Sequence, residues 1–224
     1  MSSLLYQLHS PVTLLGAAPV LPDLVRRVLA LAPTLFAADG GANTASDLGL
    51  TPKAVLGDLD SIDKGKNWQK SGASVHRIAE QDTTDLEKCL YSIEAPLFYG
   101  IGFLGGDLDH QLGVLNAIVK YGGKKVVLVG EKECWFHCPQ DFAMSLPVGT
   151  RVSIFPMRRL KGTKSQGLEW PIDGLELAPD GRIVTSNRMA RDGLRLGFDG
   201  PGALVMVPAE FTEGVAAALS TPAR

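Results

Sequence analysis

The sequence predicts an α/β protein in two parts: an N-terminal, mostly parallel Rossmann-like sheet with flanking helices over residues 1–140, then a C-terminal antiparallel β-sandwich over residues 141–224. Three observations carry this expectation. Apolar, β-rich runs alternate with amphipathic segments through the first 130 residues, as successive βαβ units require. After about Gln140, short runs separated by Gly, Pro and Asp take over, which is the texture of antiparallel strands. Finally, four acidic loops each follow a strand-like run, so acids recur where an open sheet presents its carboxyl ends.

In chain order, the first part reads as strands Val12–Leu15, Leu35–Ala38, Ala54–Leu56, Ser74–Ile78, Leu97–Phe103 and Lys125–Val129. Helices are expected at Pro22–Leu31, Ala42–Leu48, Lys64–Ser71, Thr84–Ile93 and Leu108–Tyr121. Pro22 suits a first helical turn, where a missing N–H costs nothing. Asp82 or Thr83, ahead of Asp85-Leu86-Glu87, offers an N-cap with acids in the first turn. Leu108, Leu112, Leu115 and Val119 recur at helical spacing in the last helix. The second part reads as Ala143–Leu146, Arg151–Phe155, Leu168–Trp170, Arg182–Thr185, Leu194–Phe198 and Ala203–Val207, punctuated by Asp173-Gly174, Asp180-Gly181 and Asp199-Gly200.

With 22 basic and 24 acidic residues among 224, the net charge of -2 leaves no electrostatic footprint for nucleic acid or an anionic membrane. Three cysteines fit a reducing compartment better than a disulfide framework. Met1–Pro11 has neither a basic n-region nor a long apolar h-region, and no apolar run reaches the roughly 18 residues of a membrane span. A cytoplasmic, soluble protein is expected.

The acidic loops are Asp39-Gly40-Gly41-Ala42-Asn43, Gly57-Asp58-Leu59-Asp60-Ser61-Ile62, Gln81-Asp82-Thr83-Thr84-Asp85 and Gly105-Gly106-Asp107-Leu108-Asp109-His110. On a parallel sheet they converge on one crevice. Taken singly, each is equally readable as a turn. Together they place oxygen ligands beside helix N-termini suited to phosphate, and a cation is then needed between carboxylates and polyanion; Mg²⁺ fits that role. No Gly-x-x-x-x-Gly-Lys-Ser/Thr loop and no Gly-x-Gly-x-x-Gly opens a first βα turn, so phosphate handling falls to acid and metal.

These four motifs, in this order and spacing, resemble those of the thiamine pyrophosphokinase family. The resemblance continues in Val152-Ser153-Ile154-Phe155-Pro156, Gly167-Leu168-Glu169-Trp170 and Thr185-Ser186-Asn187, and so spans nearly the whole chain. It implies a catalytic α/β domain binding ATP and Mg²⁺, a β-sandwich domain contributing to thiamine binding and dimerisation, and a homodimer with active sites between subunits. The implied reaction moves the pyrophosphoryl group of ATP onto the hydroxyethyl oxygen of thiamine, giving thiamine diphosphate and AMP. On this reading Asp58, Asp60 and Asp85 hold Mg²⁺, with Asp109 a further ligand or proton acceptor. Asp39 and Asn43 position the nucleotide or metal waters, Gln81 and Thr84 bond phosphate or substrate, and Ser61 and His110 join the nucleotide-binding set. His110 reads equally well as a residue that starts a helix beside Asp109. Trp170 offers a ring face to the thiazolium cation, a contact of roughly 0.5–2 kcal/mol, with core packing as the competing assignment. Ser186 and Asn187 would bond the aminopyrimidine, or be plain turn formers.

The chain departs from the family pattern at Asp107, where relatives commonly carry Arg, and at Gln81, where many bacterial relatives carry Lys. Lys88, Arg188 or Arg191 could supply the missing positive charge. Cys134-Trp135-Phe136-His137-Cys138 is read as a buried strand with free thiols, since three soft ligands make no complete site. Two other readings use the same acids: a metal-dependent nucleotide hydrolase, and a non-catalytic module that senses nucleotide or thiamine.

Overall fold

The computed structural model describes residues 4–63, 68 and 72–221. By its contacts the chain divides into Met1–Ala117 and Ile118–Arg224. The helix expected at Lys64–Ser71 lies outside the described residues, Trp68 excepted.

The first unit runs β1 (Tyr6–Gln7), β2 (Val12–Leu15), α1 (Pro22–Leu31), β3 (Thr34–Ala38), α2 (Gly41–Asp47), β4 (Ala54–Gly57), β5 (Ser74–Arg77), α3 (Asp85–Ser92), β6 (Ile93–Glu94), β7 (Phe98–Ile101) and α4 (Leu108–Lys120), with the division falling inside α4. Five strands lie in the order β7-β2-β3-β4-β5, every neighbouring pair parallel, with Leu14 opposite both Phe36 and Gly100. β2, β3, β4 and β7 are buried almost throughout, as strands covered on both faces must be. β5 is the edge of this group, which explains its polar Ser-Val-His-Arg sequence. β1 and β6 pair separately.

Helix boundaries follow local chemistry. Pro22 opens α1, whose Leu24, Val25 and Val28 are buried. The cap of α3 is Thr84 rather than Asp82 or Thr83. Its Oγ accepts from the Glu87 N–H while the Glu87 carboxylate accepts from the Thr84 N–H, a reciprocal box already spelled by Thr84-Asp85-Leu86-Glu87. The backbone N–H groups of Asp82 and Thr83 instead donate to Glu80. α4 forms where the spacing predicts it, and of the four periodic residues Val119 is buried and Leu115 half-buried. Leu108 and Leu112 are 69% and 55% exposed, while Val114, Ala117 and Ile118 are buried.

The second unit is mixed, mostly antiparallel β: β8 (Val126–Val129), β9 (Glu133–His137), β10 (Asp141–Met144), β11 (Arg151–Pro156), β12 (Leu160–Gln166), β13 (Glu176–Leu177), β14 (Val184–Arg188), β15 (Leu194–Phe198), β16 (Ala203–Pro208), a 3₁₀ turn at Ala209–Phe211 and α5 (Thr212–Ser220). One run of strands is β14-β11-β16-β9-β8 and a second sheet is β10-β15-β12-β13, all antiparallel. Cys134 and Cys138, on and just after β9, are buried and not joined in a disulfide. Leu168–Trp170 is not a strand; only Leu168 forms an isolated bridge, to Met189. β12, missed from sequence, is polar on its outward positions and buries little beyond Leu160 and Gly162. Among the described residues no helix is long and apolar enough to cross a membrane.

Candidate active site

Parallel strands of the first unit deliver their carboxyl ends to one edge, and the acidic loops begin there. β3 runs into Asp39 and β4 into Asp58. Asp39 has φ 41, and its N–H donates to the Leu56 carbonyl at 2.8 Å. Gly57 is required by this approach, because a Cβ there would stand 2.7 Å from the Asp39 Cβ. Leu59, between the two acids of the next loop, is held at φ 67, a conformation that costs a non-glycine residue about 1 kcal/mol or more.

Asp39, Asp58 and Asp60 each bring a carboxylate oxygen within 4.8 Å of the others. Ser61 ties two of them down: its N–H donates to Asp39 Oδ2 at 3.3 Å and its hydroxyl to Asp60 Oδ1 at 2.8 Å. Asn43 fixes the Ser61 loop in turn, its amide donating to the Ser61 carbonyl and accepting from the Asp63 N–H, both at 2.8 Å. Asn43 is thereby committed to the loop backbone. Asp39 is 2% exposed, and its Oδ1 has no donor among the described residues. A carboxylate oxygen left without a donor in the interior is costly, and it stands here beside two further carboxylates, the half-buried Asp58 and the exposed Asp60. A hard divalent cation taking oxygen ligands would satisfy both deficits, so the residues present fit a metal of the Mg²⁺ type.

A second layer surrounds Asp58. Gln81 Nε2 donates to Asp58 Oδ2 at 2.7 Å, and this hydrogen bond is the main reason the Asp58 carboxyl titrates below its ordinary value. Lys88, on α3, places its ammonium 3.5 Å from Asp85 Oδ1 and 4.0 Å from Asp58 Oδ2. Asp85 shifts the other way, raised by burial first and by the neighbouring Asp39 charge second. Glu80 braces the Gln81–Thr84 loop. It accepts from Asp82 N–H, Thr83 N–H, the Thr83 hydroxyl and the Tyr91 hydroxyl.

These groups open onto a cleft of about 740 Å³ lined by Asp58, Asp60, Ser61, Gln81, Thr84, Asp85, Lys88, Asp107, Asp109 and His110. Thus of the residues singled out in the first part of the sequence, eight line one cleft, Asp39 belongs to the carboxylate group behind it, and Asn43 supports the loop. The glycine loop after β7 closes one wall, with Gly102, Gly105 and Gly106 all at positive φ. Asp109 Oδ1 accepts the His110 N–H at 2.9 Å at the start of α4.

The second unit carries the other predicted residues. Trp170 is 54% exposed, too open for a core tryptophan. Asn187 is buried and clamps it: the Asn187 amide oxygen accepts from the Trp170 N–H at 3.3 Å and its nitrogen donates to the Trp170 carbonyl at 2.7 Å. The Arg188 guanidinium lies 5.7 Å from the ring centroid and is paired with Glu169. Ser186, exposed and at φ 58, projects from β14 beside this clamp.

Sequence reasoning gave Lys88 only as one of three remote bases and passed over Glu80. The Asp85–Lys88 spacing of three residues on a predicted helix was the available signal for the first. Nothing local marked Glu80.

The fold and cleft define a class: an α/β protein with a group of strand-end carboxylates that could hold a metal ion. Two family models match the chain, "Thiamin pyrophosphokinase, catalytic domain" over residues 25–129 and "Thiamin pyrophosphokinase, vitamin B1 binding domain" over 134–201. The chain belongs to the thiamin pyrophosphokinase family. It is 28% identical over 195 residues to thiamine pyrophosphokinase 1 of Oryza sativa subsp. japonica, covering 72% of this chain and 74% of that protein. The thiamin pyrophosphokinase of Candida albicans shares the fold with TM-score 0.75 at 16% identity, over 93% of each chain. That of Geobacillus thermodenitrificans gives 0.72 at 22%, over 88% of this chain and 96% of its own.

Proposed function

We propose that this protein is an ATP-dependent thiamine pyrophosphokinase: it transfers the pyrophosphoryl group of ATP to the hydroxyethyl oxygen of thiamine, forming thiamine diphosphate and AMP. The observation that carries the reading is the convergence of Asp39, Asp58 and Asp60 within 4.8 Å at the strand ends, in a chain matched over residues 25–129 and 134–201 by the family's two domain models. We read the first unit as Rossmann-like and catalytic, the second as a β-sandwich that presents Trp170 to thiamine. The working form would be a cytoplasmic homodimer with sites between subunits.

Asp39, Asp58 and Asp60 would hold Mg²⁺, which when bound supplies charge neutralisation and a template for the phosphates. The remaining work belongs to side chains. The thiamine hydroxyl forms a bond to the β-phosphorus as the bond from that phosphorus to the α,β-bridging oxygen breaks, and AMP leaves with that oxygen. Alignment of acceptor and leaving oxygens is the main requirement of such transfers. Gln81 orients Asp58, and Thr84 offers its hydroxyl at the start of α3. Asp109 accepts the hydroxyl proton. Trp170 presents a ring face to the thiazolium, Ser186 a hydroxyl to the aminopyrimidine, and Asn187 holds the Trp170 backbone in place.

Product analysis tests the reading. Wild-type protein with ATP, Mg²⁺ and thiamine should yield thiamine diphosphate, and Asp58→Asn should yield none while melting near the wild-type temperature. A stable Asp58→Asn protein with full activity removes the assignment.

A further inference from the structure

We infer that the second unit holds a separate site for a phosphorylated small molecule, in a cleft between the β10-β15-β12 sheet and the end of α5. The cleft measures about 540 Å³ and is lined by Lys125, Lys164 and Arg195, by Asp141, and by apolar residues that include Leu196 and Leu219. That volume lies within the range of about 300–1,000 Å³ usual for small-molecule sites. None of its lining residues belongs to the acidic cleft of the first unit. The strand register explains how the charges meet. Arg195 stands opposite Ala143, while Asp141 and Lys164 flank Gly197 from either side, so these positions share one face of the sheet. Gly197 keeps the space between Asp141 and Lys164 open, since a Cβ there would stand 2.9 Å from the Lys164 Cβ.

The charge balance names the ligand. Most of the chain's lysines and arginines fall in the second unit, while more than half of its acids fall in the first. Arg159 and Arg188 of the second unit are paired, with Asp180 and Glu169. Among the described residues Lys125, Lys164 and Arg195 form no ion pair and no side-chain hydrogen bond, although Asp141 lines the same cleft. Three cations against one carboxylate leave about two positive charges, which a phosphate group of about -1.5 to -2 would neutralise. The guanidinium offers it a fork of parallel N–H donors, and the ammonium groups act as point charges. A bare anion would leave the Leu196 and Leu219 side of the cleft uncovered, so the carbon part of the ligand belongs there. This site is independent of the proposed transfer reaction.

Methyl NMR of the full chain in EDTA locates the binding, because Leu196 and Leu219 report this cleft and Val114 the acidic one. Titrated AMP and thiamine diphosphate should each shift the Leu196 and Leu219 methyl signals saturably, and the tighter of the two identifies the preferred ligand. Inorganic phosphate should bind at the same place more weakly, since it lacks the carbon part. Lys164→Gln and Arg195→Gln should each weaken this binding roughly tenfold, the scale of one lost charged hydrogen bond, at an unchanged melting temperature. Both variants should form thiamine diphosphate at the wild-type rate under saturating ATP and thiamine. Shifts confined to Val114, undiminished affinity in both variants, or inorganic phosphate binding as tightly as AMP and thiamine diphosphate overturns the inference. So does loss of turnover in either variant, which would place its base in the active site.

Discussion

The acidic cleft of the first unit and the tryptophan platform of the second depart from ordinary burial in opposite directions. In the cleft, charged groups are buried and sparsely partnered: Asp39 Oδ1 has no donor among the described residues, and the Lys88 ammonium stands 3.5 Å from Asp85 Oδ1 and 4.0 Å from Asp58 Oδ2. On the platform Asn187 is paired to the Trp170 backbone and Arg188 to Glu169, while a large apolar ring is left in water. A buried carboxylate without a donor is destabilising until a cation arrives, and an exposed ring loses burial until a flat ligand covers it. The two regions thus store different deficits, which under the proposed function a metal polyphosphate and an aromatic cation would relieve.

The largest effect that can break this contrast is at Asp39. Asp39→Asn should abolish thiamine diphosphate formation, yet raise the melting temperature by a few °C because it removes a repulsive buried charge. Calorimetry and product assay on the same preparation check both halves; a lower melting temperature would contradict the stored-deficit account. Trp170→Ala should leave stability within about 0.5 kcal/mol, since the ring is mostly exposed. It should raise the thiamine KM about 2–30-fold, the range of a lost cation–π contact, and the ATP KM by less than that. Equal effects on both constants would place Trp170 outside the thiamine site. Asn187→Ala should act on both stability and the thiamine KM, costing about 1–3 kcal/mol as the Trp170 N–H and carbonyl lose their partners; urea unfolding measures it.

The smallest expected effect is acid sensitivity in the second unit. His137 Nε2 accepts the Gly202 N–H at 3.0 Å, and burial holds its pKa below the usual histidine value. With the folded pKa depressed, the unfolded chain takes up the proton first. Stability is therefore full above about pH 6.5 and falls as the pH drops below it, at no more than about 1.4 kcal/mol per pH unit. His137→Gln should flatten that slope in urea titrations between pH 7 and 5; an unchanged slope assigns it elsewhere. Asp85 has the opposite sign, because its raised pKa means protonation favours the folded form as pH falls through the acid range.

Much of this was legible in the sequence, for physical reasons. Buried parallel strands are continuous apolar runs, so Val12–Leu15 and Ala54–Leu56 declared themselves, and the loops after them located the cleft. What the loops do individually was not legible. The grouping of Asp39 with Asp58 and Asp60, and of Asp85 with Lys88, depends on backbone turns at Asp39 and Leu59 that no propensity encodes. Leu108, Leu112, Leu115 and Val119 showed the helical period, but of the four Val119 alone is buried, since periodicity fixes spacing and not which side meets the core. The Asn187–Trp170 clamp joins positions 17 apart through side-chain hydrogen bonds beside the isolated Leu168–Met189 bridge, and the polar β12 resembled a loop.

The central claim is a transfer that needs both substrates. AMP release from ATP and Mg²⁺ should be negligible until thiamine is added, then equal the thiamine diphosphate formed, mole for mole. AMP released at the same rate without thiamine would make the protein a nucleotide hydrolase and contradict the account.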